Sequence, residues 1–327
     1  MLPEDCVSSI ISFTSPTDAC KPVSSYFRLA AGSDLVWKRF LPSDYLSIVE
    51  DSVVPLHFSS LKELFFRLCE TIIIDGGRKS FSLDKLSGSK SYIISARELS
   101  IFGSNDPTLW SWKSNPDSRF AEVAELKAIS DLKIYGKINT GMLSQNTKYG
   151  AYIIIKIPSG AYGLDAIPSE LSIKVGDDHK IARTAYLRHN IDGKKVQMLH
   201  LLYGNRLEML KKRVVQGEEC SVQERKDGWL EIGLGEFYSG DHRNEEVKMS
   251  LVEVKGRQLK GGLIVEGIEK KSILIHSQTL TSAAKSIQSI HSVRQRLIEL
   301  ELEERLIVGD IWRILLSRRM LLRELRS

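Results

Sequence analysis

The stretch DLKIYGKI, residues 131–138, alternates Leu132, Ile134 and Ile138 with Asp131, Lys133, Tyr135 and Lys137. Successive side chains of an extended strand point to opposite faces, so this spacing predicts a strand with one face on a core and the other in water. The same period returns on both sides of it. VKMSLVEVKG, residues 247–256, sets Val247, Met249 and Leu251 against Lys248 and Ser250, and GWLEIGLGEF, residues 228–237, sets Leu230, Ile232 and Leu234 against Glu231. YGAYIIIKI, residues 149–157, is a continuous apolar run, and GGLIVEGI, residues 261–268, closes the series. Short strands separated by glycine and polar turns, with no helices between them, predict an all-β antiparallel sandwich from about residue 91.

Toward the amino terminus the period changes. Val7, Ile10 and Ile11 fall on one helical face, with Pro3 suited to the first helical position. Ser15-Pro16-Thr17-Asp18 stops that helix and caps the next, and Ser33 caps a helix carrying Leu35, Val36 and Phe40. Residues 1–45 are too few to bury much of a core alone and need the rest of the chain or a partner protein. In SSLKELFFRLC, residues 59–69, Leu61, Leu64, Phe65 and Leu68 share a face, and DGGRKSFSLDKLSGSKS, residues 75–91, reads as loop, so residues 46–90 form a helical connector and linker. Residues 272–327 return to helix, with Ile290, Val293, Leu297 and Leu300 at steps of three and four, interrupted by Gly309. That extension either self-associates or simply packs.

The 327 residues are 42% hydrophobic and 27% charged, ordinary for a soluble protein, and the net charge of +5 is spread along the chain rather than clustered as nucleic-acid binding requires. The first residues are acidic where a signal peptide is basic, and no apolar run is long enough to span a bilayer, so a cytoplasmic or nuclear location is expected. LKKRVV, residues 210–215, is either a nuclear signal or a solvated loop. The four cysteines form no metal-ligand spacing, and the seven histidines form no H-E-x-x-H. With no G-x-S-x-G and no phosphate loop either, neither a catalytic site, a metal site nor a cofactor is expected.

Two resemblances cover most of residues 1–270. LPEDCVSSIISFTSPTDAC, residues 2–20, with VSSYFRLAAGSDLVWKRFLPSDY, residues 23–45, resembles the F-box, the motif that docks on the Skp-type adaptor of SCF ubiquitin ligases. ARELSI, RFAEVAEL, IYGKI, LSQNTKYGAY, DGWLEIGLGEF and KGGLIVEGIE, between residues 96 and 269, resemble the phloem protein 2 lectin domain of plants, a jelly-roll-like sandwich. The order is that of plant F-box proteins of the phloem-lectin type. This resemblance implies four parts: an F-box over 1–45, the connector over 46–90, the lectin-like domain over 91–271 and an extension over 272–327.

The F-box resemblance implies apolar contacts to the adaptor through Leu2, Pro3, Val7, Ile10, Ile11, Val23 and Trp37, some of which pack internally. DACKPVSSYF, residues 18–27, is about two residues shorter than the usual spacing, and Pro22 stands where the second helix should run. Either adaptor affinity falls or that helix begins later.

The lectin resemblance implies recognition of N-acetylglucosamine oligomers and N-glycan cores, with Trp110 as the stacking aromatic and Glu246 and Glu253 as hydrogen-bonding acids. Trp110 and Trp112 would share a face of a regular strand; the resemblance makes Trp110 the ligand residue and Trp112 the structural one. The family carries a second tryptophan seven residues before Trp110, where this chain has Gly103, and a glycine offers no stacking face. The expected function is therefore a non-catalytic substrate receptor of an SCF-type ligase, its sandwich binding a glycoprotein or protein target. The alternative is a carbohydrate-binding lectin with a degenerate F-box and no ligase role.

Overall fold

A computed structural model describes residues 4–21, 25–165, 167–176, 181–187, 220, 222–240, 244–253 and 258–273. All of them belong to one compact unit, Met1–Ile273. Leu2, Pro3, Pro22, Val23, the basic run at 210–215 and the helical extension lie outside the described residues.

The amino-terminal part is α1 (Glu4–Ile11), α2 (Pro16–Ala19), α3 (Ser25–Ala30), α4 (Asp34–Phe40), α5 (Tyr45–Glu50) and α6 (Leu61–Cys69). The caps read from the sequence are in place. The Ser15 hydroxyl accepts from the Asp18 amide at 3.1 Å, and the Ser33 hydroxyl from the Leu35 amide at 3.3 Å. Ser60 caps α6 in the same way, accepting from the Glu63 amide at 3.2 Å. Val7, Ile11, Val36, Leu64, Phe65 and Leu68 are buried around Trp37. The Trp37 indole donates to the Ala31 carbonyl at 2.7 Å and meets the rings of Phe40, Phe65 and Phe66 at centroid distances of 5.5, 5.3 and 5.4 Å.

The strands are β1 (Ile72–Ile74), β2 (Lys79–Leu83), β3 (Lys90–Ser95), β4 (Ser100–Ile101), β5 (Trp110–Lys113), β6 (Val123–Leu126) and β7 (Leu132–Asn139), then β8 (Lys148–Lys156), β9 (Ser169–Val175), β10 (Ile181–Ala185), β11 (Val222–Glu224), β12 (Leu230–Tyr238), β13 (Glu246–Glu253) and β14 (Ile264–Ser272). One sheet runs β1-β2-β3-β14-β8-β12-β11, with β5 and β6 joined to it through β14, and the other runs β10-β9-β13-β7-β4. Every pairing between these strands is antiparallel. Leu132, Ile134 and Ile138 of β7 and Val247, Met249 and Leu251 of β13 are buried, as their alternation requires. Glycines mark where the two sheets come closest. A Cβ on Gly136 would stand 2.7 Å from Ile268, and one on Gly235 would stand 2.5 Å from Ile173, each isoleucine lying on the opposite sheet.

Residues 75–91, expected to be linker, instead contribute β2 and the start of β3. The serines and lysines give the stretch a loop composition, but Phe81 and Leu83 alternate within it and both are buried. Phe81 packs edge-on against Tyr92 of β3 at 5.2 Å. α6 lies against β2, and the Lys90 ammonium pairs with the Asp44 carboxylate at 2.7 Å. Gly88, at φ +69°, brings the β2–β3 turn against the Phe40 carbonyl, 3.1 Å from where a Cβ would stand. The helices are thus continuous with the sheet through a shared core.

The unbroken apolar run of β8 has a specific cause. Ile153 and Ile155 face the sandwich interior, while Ile154 joins a second small core on the outer face with Ile93, Phe120, Val123 and Trp229. The connection between β5 and β6 folds over that core. Glu266, fully buried, holds it by accepting from the Arg119 amide at 2.9 Å, the Ser118 hydroxyl at 3.2 Å and the Arg119 guanidinium at 2.7 Å. The Trp229 indole donates to the Asp117 carbonyl at 2.9 Å, and the other arm of Arg119 reaches Asp227 at 2.5 Å. Burial pushes the Asp227 carboxyl up, but the Arg119 hydrogen bond, the Trp229 amide and the Arg225 charge outweigh it and hold the group below its ordinary range.

Candidate functional site

The expected adaptor residues divide by burial. Val7, Ile11 and Trp37 are enclosed in the helical core, because four-residue spacing places Val7 and Ile11 on the face of α1 turned to α3 and α4. In the chain by itself they pack inward and hold the unit together rather than standing open to a partner. Ile10 is half-buried. Among the described residues up to 45, the large apolar groups left in water are Phe13 at 64%, Leu29 at 63% and Leu35 at 55% exposure; further along the helical unit Leu46, Val53, Val54, Phe58 and Phe66 are exposed as well. The Arg39 guanidinium covers one face of Phe13 at 4.1 Å. The available signal was negative: each of the three stands off the buried stripe of its segment.

The two tryptophans share a face of β5, as alternation requires, but their burial is opposite to expectation. Trp110 is 1% exposed, and its indole donates to the Phe102 carbonyl at 3.1 Å. Trp112 is only half-buried, donates to the Ser104 carbonyl at 3.3 Å and carries the Arg97 guanidinium stacked at 3.8 Å. Arg97 is itself forked onto Glu122 at 2.9 and 2.5 Å. Buried to 1% exposure, Trp110 therefore offers no open stacking face, and the 102–104 turn accepts the indole N–H of both tryptophans.

The two acids are separated. Glu246 and Glu253 begin and end the eight-residue β13, which at about 3.3 Å per residue sets their backbones roughly 23 Å apart. Glu253 is buried and ion-paired with the equally buried Lys260, whose ammonium also donates to the carbonyls of Ser130 at 2.6 Å and Gln258 at 3.0 Å. Glu246 stands at the far end beside Lys248 at 3.3 Å and Lys137 at 3.5 Å. The Lys248 hydrogen bond leads the effects that hold its carboxyl below the usual range. One pocket cannot use both acids in this arrangement.

Gly103 is more than a missing aromatic. Its φ is +76°, and a Cβ there would stand 2.7 Å from the Leu109 Cδ1. The turn has adopted a backbone that a tryptophan disfavours by about 1–2 kcal/mol, before the clash with Leu109 is counted. Gly103→Trp is accordingly expected to lower thermal stability without strengthening any sugar binding over that of the wild type, which melting curves and a glycan-binding assay on the same preparation would check.

Among the described residues, no three His, Cys, Asp or Glu side chains gather as metal ligands, and no helix is long and apolar enough to cross a membrane. The family described as Phloem protein 2 matches residues 89–271. The chain is 50% identical to the F-box protein PP2-B15 of Arabidopsis thaliana over 276 residues, covering 82% of this chain and 95% of that one. It is 49% identical to the F-box protein PP2-B13 of the same plant, covering 84% and 98%, and 48% identical to its F-box protein VBF, covering 82% and 98%.

Proposed function

The chain belongs to the phloem protein 2 family of plant F-box proteins, and on that premise we propose that it is the substrate receptor of an SCF-type ubiquitin ligase. The helical unit docks a Skp-type adaptor, and the sandwich presents a glycoprotein or protein target. The observation that carries this reading is the pairing of exposed Phe13, Leu29 and Leu35 with a helical unit fused to the sheet through α6, β2 and the Asp44–Lys90 pair. Large apolar side chains in water suit a partner surface. A fused scaffold holds the bound target at a fixed place near the adaptor. The receptor's contribution is then proximity, raising the effective concentration of target beside the transfer machinery without chemistry of its own. We propose the cytoplasm and nucleus as the compartments in which it acts.

Pulldown with a purified Skp-type adaptor tests the reading. The wild-type chain is expected to be captured, and Leu29→Asp and Phe13→Asp to lower affinity more than tenfold, as central apolar anchors do, while leaving the melting temperature unchanged. No capture of the wild-type chain, under conditions where another F-box protein binds, would leave a lectin with a degenerate F-box.

A further inference from the structure

The second sheet carries a row of lysines on its outer face. Lys137 of β7 stands directly opposite Lys248 of β13, and Lys248 directly opposite Lys174 of β9. Residues opposite one another share a face, and with Val247 and Met249 turned into the core this row points to water. The side chains of Lys137 and Lys248 are 75% and 65% exposed, and Lys174 is half-buried. Like charges set opposite each other on neighbouring strands are destabilising, so the fold gains nothing from this register.

One carboxylate intervenes. Glu246 lies 3.5 Å from Lys137 and 3.3 Å from Lys248, a single acid shared between two of the three ammonium groups. Two further acids stand off the row: Glu170 is opposite Val252, four residues along β9 from Lys174, and Glu245 lies beside Gly176. In the next row exposed Tyr135, two residues before Lys137 on the same face, is opposite Ser250, and Ser250 is opposite Ser172. Both serines are buried, their hydroxyls bonded to each other at 2.7 Å. The outer face is therefore a basic line with one aromatic ring at its border.

We propose that the Lys137–Lys248–Lys174 row is a docking surface for an acidic segment of a partner protein, with the Tyr135 ring receiving an apolar side chain of that segment. Neighbouring strands lie about 4.8 Å apart, so the row runs roughly 10 Å. An extended segment laid across the strands sets alternate side chains about 7 Å apart, and the flexible lysine stems reach over the difference. Discrete carboxylates fit this surface better than a continuous polyphosphate, because Glu246 and Glu170 on the same face repel a nucleic-acid backbone. The inference rests on the protein-target side of the function proposed above and is independent of adaptor docking.

Titrating the full chain into a fluorescent peptide rich in glutamate and leucine tests it. A glutamine-for-glutamate peptide and a single-stranded oligonucleotide serve as comparisons, and adaptor capture is followed on the same samples. Wild type is expected to bind the acidic peptide, more weakly as salt rises, and to leave the glutamine peptide free. Lys248→Glu, at the centre of the row, should lose roughly tenfold in affinity and keep its melting temperature, since the side chain is exposed. Lys137→Glu should lose a similar amount and decides the matter if Lys248→Glu melts early. Lys226→Glu makes the same charge change on an exposed turn of the other sheet and should bind as wild type does. Equal losses in Lys248→Glu and Lys226→Glu would show a general charge effect and overturn the row. So would a folded chain that leaves the acidic peptide unbound, or one that takes the oligonucleotide more tightly. Peptide binding without adaptor capture would uphold the row and remove the ligase reading, whereas adaptor capture without peptide binding would do the reverse.

Discussion

Trp37→Ala is expected to lower stability by about 3–5 kcal/mol and to abolish adaptor capture, although the indole is nowhere on the surface. The ring sits among Phe40, Phe65 and Phe66 and ties α4 to the turn after α3 through the Ala31 carbonyl. Truncation removes all of these contacts at once. The remaining helices are short, four to nine residues each, and too short to persist in water without packing. Thermal unfolding should shift down by roughly 10 °C, with helical circular dichroism lost together with adaptor binding. Leu29→Asp supplies the contrast, because it should lose the adaptor and keep its melting curve. Coincident behaviour of the two variants would mean that Leu29 is structural.

Arg119→Ala is the second large effect. It strands the Glu266 carboxylate, fully buried on the outer face of the sheet, without its guanidinium partner. Breaking a buried pair from one side costs about 3–5 kcal/mol, whereas replacing both partners by apolar groups is often neutral. Urea unfolding should therefore show Arg119→Ala far less stable than the double variant Arg119→Met/Glu266→Leu. If the two are equally damaged, the packing of the strap rather than the charge is what matters. The Asp227 contact adds a pH signature. Its folded carboxyl titrates below the ordinary range, so the stability it contributes is present at neutral pH and is lost as pH falls through the folded value.

Strand identity was legible wherever one face is buried and the other wet. Leu132, Ile134 and Ile138, with Val247, Met249 and Leu251, fix both existence and facing of β7 and β13 by alternation alone. Caps were legible for the same local reason, since Ser15 and Ser33 act within three residues of themselves. β2 was not, because its serines and lysines imitate a turn and only pairing with β3 makes it a strand. Burial of Trp110 over Trp112 was not legible either. Both occupy one face of β5 and both indoles donate to the 102–104 turn, so alternation gives the shared face but not which of the two is covered. Likewise RFAEVAEL, DGWLEIGLGEF and KGGLIVEGIE are distant segments, yet Arg119, Asp227, Trp229 and Glu266 from them meet in a single strap over the outer core. These motifs carry a scaffold.

One folded unit is proposed to join the adaptor to a target. Expressing tagged full-length chain and folded Leu29→Asp in plant cells under proteasome inhibition, then measuring ubiquitin conjugates and adaptor recovered with each, checks this. The account predicts that wild type brings down adaptor together with ubiquitin-conjugated partners. Leu29→Asp should bring down the same partners without adaptor and with the conjugates lost. Equal conjugates from both proteins, or a wild-type chain that recovers partners but never adaptor, would contradict it.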